Sequence, residues 1–285
     1  MSPRQRLDVL LVERQLAESR EQAQRLIRSG KVKVGGRISD KPGVAIDIAA
    51  AVEILAPASR FVSRGGEKLQ GALDAFPVSP QDCTCLDLGA STGGFTDCLL
   101  QAGAQRVYAV DVGRAQLHEK LRADDRVIVL EEVNARALTR DLIPEPITFC
   151  TGDLSFISLL KVMPAAVGLL NKGANAILLV KPQFEAGPRH VRRGGVVTDP
   201  AVHRQVLQDV LQGLAALALA PKDIMLSPLR GPAGNREYLV WLVKGIDIRD
   251  QTDTMENEQA TLAPQMVATI DRTVEMAFSD KKVDE

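Results

Sequence analysis

Four charged residues interrupt apolar or glycine-rich stretches of this 285-residue chain: Lys68 after Arg64-Gly65-Gly66, Asp153 after PITFCTG, Lys181 at the end of ILLV, and Glu237 at the start of EYLVWLV. Singly, each reads as an exposed side chain whose stem covers apolar surface. Together on one edge they can do chemistry, because a lysine amine among charges can act as a general base or stabilise an oxyanion while carboxylates orient it. A second constellation lies in LDLGASTGGF, residues 86–95, between a strand-like and a helix-like stretch. There Gly89, Ser91, Gly93 and Gly94 would let a ligand approach the backbone, the alternative being a plain tight turn. Asp111 ends the next strand-like run, where a carboxylate is placed to accept hydrogen bonds from ribose hydroxyls. Asn134, after RVIVLEE, is a candidate adenine or ribose contact, or equally a loop cap.

The elements that must position these groups alternate. From Cys83 onward the strand-like runs TCLDL, RVYAVDV, RVIVLEE, PITFCTGDL, NAILLVKP, DIMLSP and EYLVWLV are separated by helix-length stretches. This pattern implies an α/β layer with a mostly parallel sheet. The connection between the last two runs contains Gly231-Pro232 and Gly234-Asn235 and is too short for a helical crossover, so they should form an antiparallel hairpin. Ligands of such sheets bind beyond the carboxyl ends of the strands, so Asp153 and Lys181 would face one crevice, and the amino end of the antiparallel strand brings Glu237 to the same edge. The glycine loop lacks the third glycine of a dinucleotide fingerprint. With Asp111 and the antiparallel edge it favours S-adenosylmethionine over NAD.

The N-terminal part is built differently. Leu7, Leu10 and Leu11 mark a short amphipathic helix within residues 6–17, and Ser19 with Gln22 has capping-box spacing for a second helix starting near Arg20. That helix should bury Ala23, Leu26 and Ile27. Lys31 to Val34 alternates, Gly35-Gly36 makes a turn, and Val44, Ile46, Ile48, Val52 and Ile54 continue as short strands. Arg20, Arg25, Arg28, Lys31, Lys33 and Arg37 would form a surface where phosphates could be met, the alternative being a solvated, charge-laced helix face. Residues 1–60 hold no aromatic, so backbone or shape recognition is favoured over base stacking. The loop Arg189-His190-Val191-Arg192-Arg193-Gly194-Gly195 is basic and reads as mobile, either closing over RNA through Arg192 and Arg193 or simply solvated. His118 and His203 read as surface residues on helices.

Charge is unevenly divided. Lys plus Arg number 35 and Asp plus Glu 36, yet residues 1–68 hold 13 basic and 8 acidic side chains, and residues 247–285 hold 4 and 10. The acidic stretch after Lys244 reads as linker or disordered tail, followed by an amphipathic helix in 262–278 with Leu262, Met266 and Ile270 on one face. The tail's charge could repel RNA or dock on the basic N-terminal domain. Cys83, Cys85, Cys98 and Cys150 complete no zinc-ligand set and read as buried thiols, with no metal expected. No apolar run is long enough to span a bilayer and the N-terminus lacks a signal-peptide pattern, so a cytoplasmic protein is expected.

Several long strings carry a family resemblance. RLDVLLVERQLAESREQAQRLIRSGKVKVGGR resembles the RNA-binding domain first described in ribosomal small-subunit protein four. SRGGEKL at 63–69, LDLGASTGGFTDCLLQAGA at 86–104, VYAVDVG at 107–113, GDLSFISL at 152–159, LLVKPQFE at 178–185 and GNREYLVWL at 234–242 make residues 1–246 similar to the TlyA family. That family, often labelled haemolysin A, joins such a domain to one like the FtsJ ribose methyltransferases. The resemblance implies a Rossmann-like methyltransferase fold with a mostly parallel seven-stranded sheet, plus a small α+β RNA-binding domain. The expected divisions are 1–58 for RNA binding, 59–82 as linker and start of the catalytic domain, 83–246 for methyl transfer and 247–285 as the acidic extension. The family's Lys-Asp-Lys-Glu tetrad falls on Lys68, Asp153, Lys181 and Glu237. It implies methyl transfer from S-adenosylmethionine to a ribose 2′-hydroxyl of ribosomal RNA, with Lys181 assisting deprotonation and the other three holding its charge state and position. Ribosomal RNA or the ribosomal subunits are the implied partners. Two rival functions are an RNA-binding protein with an idle site and a membrane-active haemolysin.

Overall fold

A computed structural model describes residues 3–55, 60–192, 194–245 and 261–279, and the chain divides into two compact units, 1–60 and 61–285. In the first unit β1 (Arg4–Arg6) leads into α1 (Leu7–Glu13) and α2 (Arg20–Arg28), followed by β2 (Val32–Val34), β3 (Arg37–Ile38), β4 (Ala45–Asp47) and β5 (Val52–Ile54). Gln15 takes φ 56° and turns the chain out of α1, so that the N–H groups of Leu16 and Ala17 both donate to the Leu11 carbonyl. The cap foreseen at Ser19 is present, its Oγ accepting from Gln22 N at 3.2 Å. Gly35 and Gly36 have φ 57° and 80°, which only glycine adopts cheaply, and they close the β2–β3 hairpin. The strands form two sheets, β3-β2-β5 and β1-β4, and β1 is one the sequence pattern did not suggest. Leu7, Leu11, Ala17, Ala23, Ile27 and Val32 make the core, with Leu26 at its margin.

The second unit begins with α3 (Gly65–Ala75). It then alternates β6 (Thr84–Leu88), α4 (Gly94–Gln101), β7 (Arg106–Val110), α5 (Glu119–Arg122), β8 (Val127–Leu130), β9 (Ile147–Gly152), α6 (Leu159–Val167), β10 (Leu170–Val180), α7 (Pro182–Glu185), α8 (Pro200–Ala216), β11 (Leu219–Leu226), β12 (Tyr238–Lys244) and α9 (Pro264–Ser279). The seven strands lie in the order β11-β12-β10-β9-β6-β7-β8. All pairings are parallel except those of β12, which runs antiparallel to both β10 and β11. Alternate residues feed two cores: Leu86, Leu88, Leu178, Val180, Tyr238 and Val240 face one layer, and Cys85, Ile177, Leu179 and Leu239 the other. Of the cysteines, Cys85, Cys98 and Cys150 are buried and Cys83 is half-buried.

Register puts five of the candidate positions at one sheet edge. Leu88 lies opposite both Val110 and Gly152, and Val180 lies opposite Tyr238. Gly89, Asp111, Asp153, Lys181 and Glu237 are the residues that come next at that edge. The amphipathic helix expected near the C-terminus is α9; Met266, Ile270, Val274 and Ala277 are buried in the same core as α8 and β11. The polar linker expected before it, 246–260, is outside the described residues. No helix among the described residues is long and apolar enough to cross a membrane.

His203, expected on the surface, is fully buried on α8. Its Nε2 lies 3.0 Å from the Val197 carbonyl and its Nδ1 2.8 Å from the Tyr238 hydroxyl. A carbonyl only accepts, so Nε2 carries the proton and Tyr238 donates to Nδ1. Burial lowers its proton affinity from the usual 6.5. The unfolded chain therefore binds a proton below that value which the folded chain does not, and this contribution to stability, present above pH 6.5, is lost as pH falls. Urea unfolding of wild type and His203→Gln at about pH 7.5 and about pH 5.5 should show the wild-type advantage shrinking at the lower pH.

Candidate active site

The tetrad resolves into two ion pairs. Lys68, in the first turns of α3, points its Nζ to Glu237 Oε2 at 2.5 Å, and both side chains are buried. Glu237 Oε1 lies 3.5 Å from Gln183 Nε2, and a Cβ on Gly231 would come within 2.5 Å of that same oxygen. Only glycine at 231 therefore leaves the carboxylate its place. Lys181 Nζ, one residue past β10, donates to Ser155 Oγ at 2.9 Å and sits 2.5 Å from Asp153 Oδ1. Of the four side chains Asp153 is the most open, at 20% exposure.

Backbone approach, permitted by glycine, brings these elements together. A Cβ on Gly94 would lie 2.8 Å from Gly66 N, and one on Gly66 would overlap the Phe61 ring at 2.2 Å. The starts of α3 and α4 thus touch backbone to backbone, which carries Lys68 inward. Gly89 has φ 80° and Gly93 φ 95°. At Gly93 the missing side chain makes room for Leu121 and Leu117, and at Gly94 for Ser63 and α3, so both glycines serve packing within the fold. Asp111 Oδ2 accepts from Ser91 N at 2.8 Å and Oδ1 from Gly113 N at 2.7 Å, tying the loop to the end of β7. Val112 beside it is 75% exposed. Asn134 Oδ1 accepts from Arg136 N at 3.0 Å, capping the short 3-10 turn Ala135–Ala137.

One rim residue was not foreseen. Phe156 is 92% exposed and takes φ 63°, an uncommon combination for a phenyl ring. Lys181 anchors its loop through Ser155, and Glu185 Oε1 accepts from Leu159 N at 2.8 Å. Burial raises the Glu185 carboxyl's proton affinity. The Phe184 ring lies 5.0 Å from that of Phe156. An aromatic directly after the Asp153-Leu154-Ser155 turn was the available signal.

The basic positions sort unevenly. Arg20 Nη2 is 3.2 Å from Asp8 Oδ2, a fully buried carboxylate that also pairs with Arg6 at 3.0 Å and accepts from Gln24 at 2.9 Å. These bonds, that of Arg6 foremost, hold Asp8 well below the usual carboxylate range, and Arg20 is in part committed inside the fold. Arg25, Arg28, Lys31 and Arg37 are exposed and Lys33 is half-buried on β2. Arg192 is exposed, and Arg193 is outside the described residues. The loop expected to be mobile is pinned at its far end: Asn235 Nδ2 donates to the Gly195 carbonyl at 2.8 Å and Asn235 Oδ1 accepts from Val197 N at 3.1 Å.

The sheet order with its antiparallel β12 defines a methyltransferase fold. An FtsJ-like methyltransferase family matches residues 61–244 and an S4 domain matches residues 5–50. The chain is 46% identical over 254 residues to a protein of Mycobacterium tuberculosis named 16S/23S rRNA (cytidine-2′-O)-methyltransferase TlyA, covering 89% of this chain and 92% of that one. It is 37% identical to Hemolysin A of Brachyspira hyodysenteriae over 239 residues, 84% of this chain and 99% of that one. A solved structure from Streptococcus thermophilus superimposes with a TM-score of 0.74 at 38% identity, covering 98% of each chain. The chain belongs to the TlyA family.

Beneath the glycine loop, Asp87 is fully buried and accepts from Thr96 Oγ1 at 2.7 Å and Thr151 Oγ1 at 3.0 Å. Burial pushes its carboxyl up to about 6 from 3.8. The folded chain thus holds a proton between those values that the unfolded chain releases, and the charged form carries a cost above pH 6. Asp87→Asn, whose amide can still bridge both hydroxyls, should gain roughly 3 kcal/mol in relative stability above that range, a gain that vanishes in acid. Denaturant titrations across the range check this.

Proposed function

We propose that this methyltransferase moves a methyl group from S-adenosylmethionine to a ribose 2′-hydroxyl of ribosomal RNA. The observation that carries the reading is the position of Lys181 Nζ, held between Asp153 Oδ1 and Ser155 Oγ at the open side of the sheet edge. The relative from Mycobacterium tuberculosis, whose name states this reaction on 16S and 23S rRNA, supports it.

The residues present suit the methyl donor. Each Asp111 oxygen accepts one backbone N–H and retains capacity for a ribose hydroxyl, exposed Val112 supplies an apolar face for a flat base, and Gly89 and Ser91 line the turn between them. Asn134 is a further contact candidate at the end of the neighbouring strand, and Gly93 and Gly94 act by shaping the turn. When bound, S-adenosylmethionine supplies an activated sulfonium methyl, so the chain's own task is mainly orientation. Lys181 assists deprotonation of the ribose 2′-hydroxyl, the oxygen to which the donor would supply its methyl group. Asp153 and Ser155 keep Nζ aimed, and the Lys68–Glu237 pair holds α3 to the start of the segment that leads into β12. Phe156 offers a nucleobase a stacking surface at the entrance, the means by which enzymes hold a base turned out of its stack.

In the N-terminal unit, exposed Arg25, Arg28, Lys31 and Arg37, with Lys33 and the uncommitted part of Arg20, supply phosphate contacts. Arg192 and Arg193 add positive charge from the catalytic unit.

Labelled S-adenosylmethionine offered with unmodified ribosomal subunits should place label on a ribose 2′-oxygen, and Lys181→Ala should abolish it. Cofactor binding without label on either subunit would mean another acceptor; no cofactor binding would favour a binding-only protein. Glu237→Ala should lower turnover more than cofactor affinity, and equal loss of both would count against its role. Phe156→Ala should raise KM for RNA about tenfold, the lower part of the range for losing one aromatic stack, with cofactor affinity unchanged in calorimetry.

A further inference from the structure

Directly behind Glu237, contacts from two helices meet on the flanking residues. Arg236 is 9% exposed; its Nε donates to the Ala277 carbonyl in the last turn of α9, and its guanidinium lies 4.1 Å from the Phe278 ring centroid. The last carbonyls of a helix lack partners within it and carry the negative end of its dipole, so an arginine there satisfies both needs. Phe278 packs edge-on against His203 at 5.0 Å, and His203 bonds Tyr238. Arg236, Phe278, His203 and Tyr238 thus form a continuous run of contacts through α9, α8 and the start of β12, with Glu237 between Arg236 and Tyr238 in the chain. The FtsJ-like match ends at residue 244, yet the inner face of α9, residues 264–279, is buried in the catalytic unit's core.

We infer that α9, through Arg236, is a positioning element for catalysis: it sets where Glu237 meets Lys68. The inference rests on the reading above, in which Glu237 serves methyl transfer. A helix that only added stability would leave turnover of the folded enzyme unchanged. A positioning helix acts through Glu237, so its loss should matter only while that carboxylate is present.

The test measures kcat for label transfer to ribosomal subunits, the dissociation constant for S-adenosylmethionine by calorimetry, and thermal unfolding. The variants are Arg236→Ala, Arg236→Lys and Phe278→Leu, alone and combined with Glu237→Gln. Arg236→Ala and Phe278→Leu should lower kcat about tenfold to a hundredfold, the cost of a catalytic group displaced by about an ångström. Cofactor affinity should stay within about twofold, and Arg236→Lys should restore part of kcat. In the Glu237→Gln background the same changes should add little, the non-additivity of groups acting as one. Full kcat in both Arg236→Ala and Phe278→Leu, or an undiminished loss in the Glu237→Gln background, overturns the inference. If Arg236→Ala does not fold, Phe278→Leu, which keeps an apolar side chain, decides alone. Full kcat in Glu237→Gln itself overturns the underlying reading of the carboxylate, and the inference with it.

Discussion

The buried pair between Lys68 and Glu237 is the constraint around which the catalytic unit is arranged. Withdrawing two charges from water costs several kcal/mol per ion before their attraction is counted, and the debt is met only with close geometry and further hydrogen bonds. Here the contact is 2.5 Å, Gln183 approaches the second carboxylate oxygen, and Gly231 yields the space the carboxylate needs. Each partner comes from a different element: Lys68 from α3, which precedes the first strand of the sheet, and Glu237 from the residue just before the last strand, β12. The pair therefore joins the beginning of the unit to its end. An antiparallel β12 is what allows it, since a parallel strand would deliver its amino end to the opposite edge.

Close approach of backbones is the second requirement. Gly66, Gly89, Gly93, Gly94 and Gly231 each occupy a place where a Cβ would meet another atom at 2.9 Å or less. Their contribution is made before any ligand arrives: they let α3, α4 and the loop after β6 crowd around one sheet edge. Asp111 and Asp87 brace the loop from two sides, one by accepting backbone N–H groups and the other by holding Thr96 and Thr151. Chemistry and packing share residues here, so substitutions in the loop affect both.

Strain and exposure mark the working edge in a different way. Phe156 carries a left-handed φ and an almost fully exposed ring, features that folding alone would not favour. The segment that holds it is tethered by Lys181 at one end and Glu185 at the other. A residue presented outward at such cost suits a partner that stacks upon it, and the nucleobases of RNA have that shape.

Much of this was legible in the residues. Alternation of strand-like and helix-like runs, the short last connection and the position of charges at strand ends were enough for the sheet, its antiparallel strand and the edge where Asp153, Lys181 and Glu237 meet, because period-two patterning and strand polarity are properties of the chain. The second helix of the first unit was legible through Ser19 and Gln22, since capping is local. What depends on distant partners was not legible. The division of four charges into two pairs, the commitment of Arg20 to Asp8, the burial of His203 beneath Tyr238 and the tie from Arg236 to the end of α9 link residues 12 to 169 positions apart. A histidine on a polar helix turn reads as exposed until a second helix covers it, and a tail reads as an appendage until its apolar face finds a core. Local chemistry is written in the order of residues; which charge meets which, and which surface is covered, is decided only when the layers close.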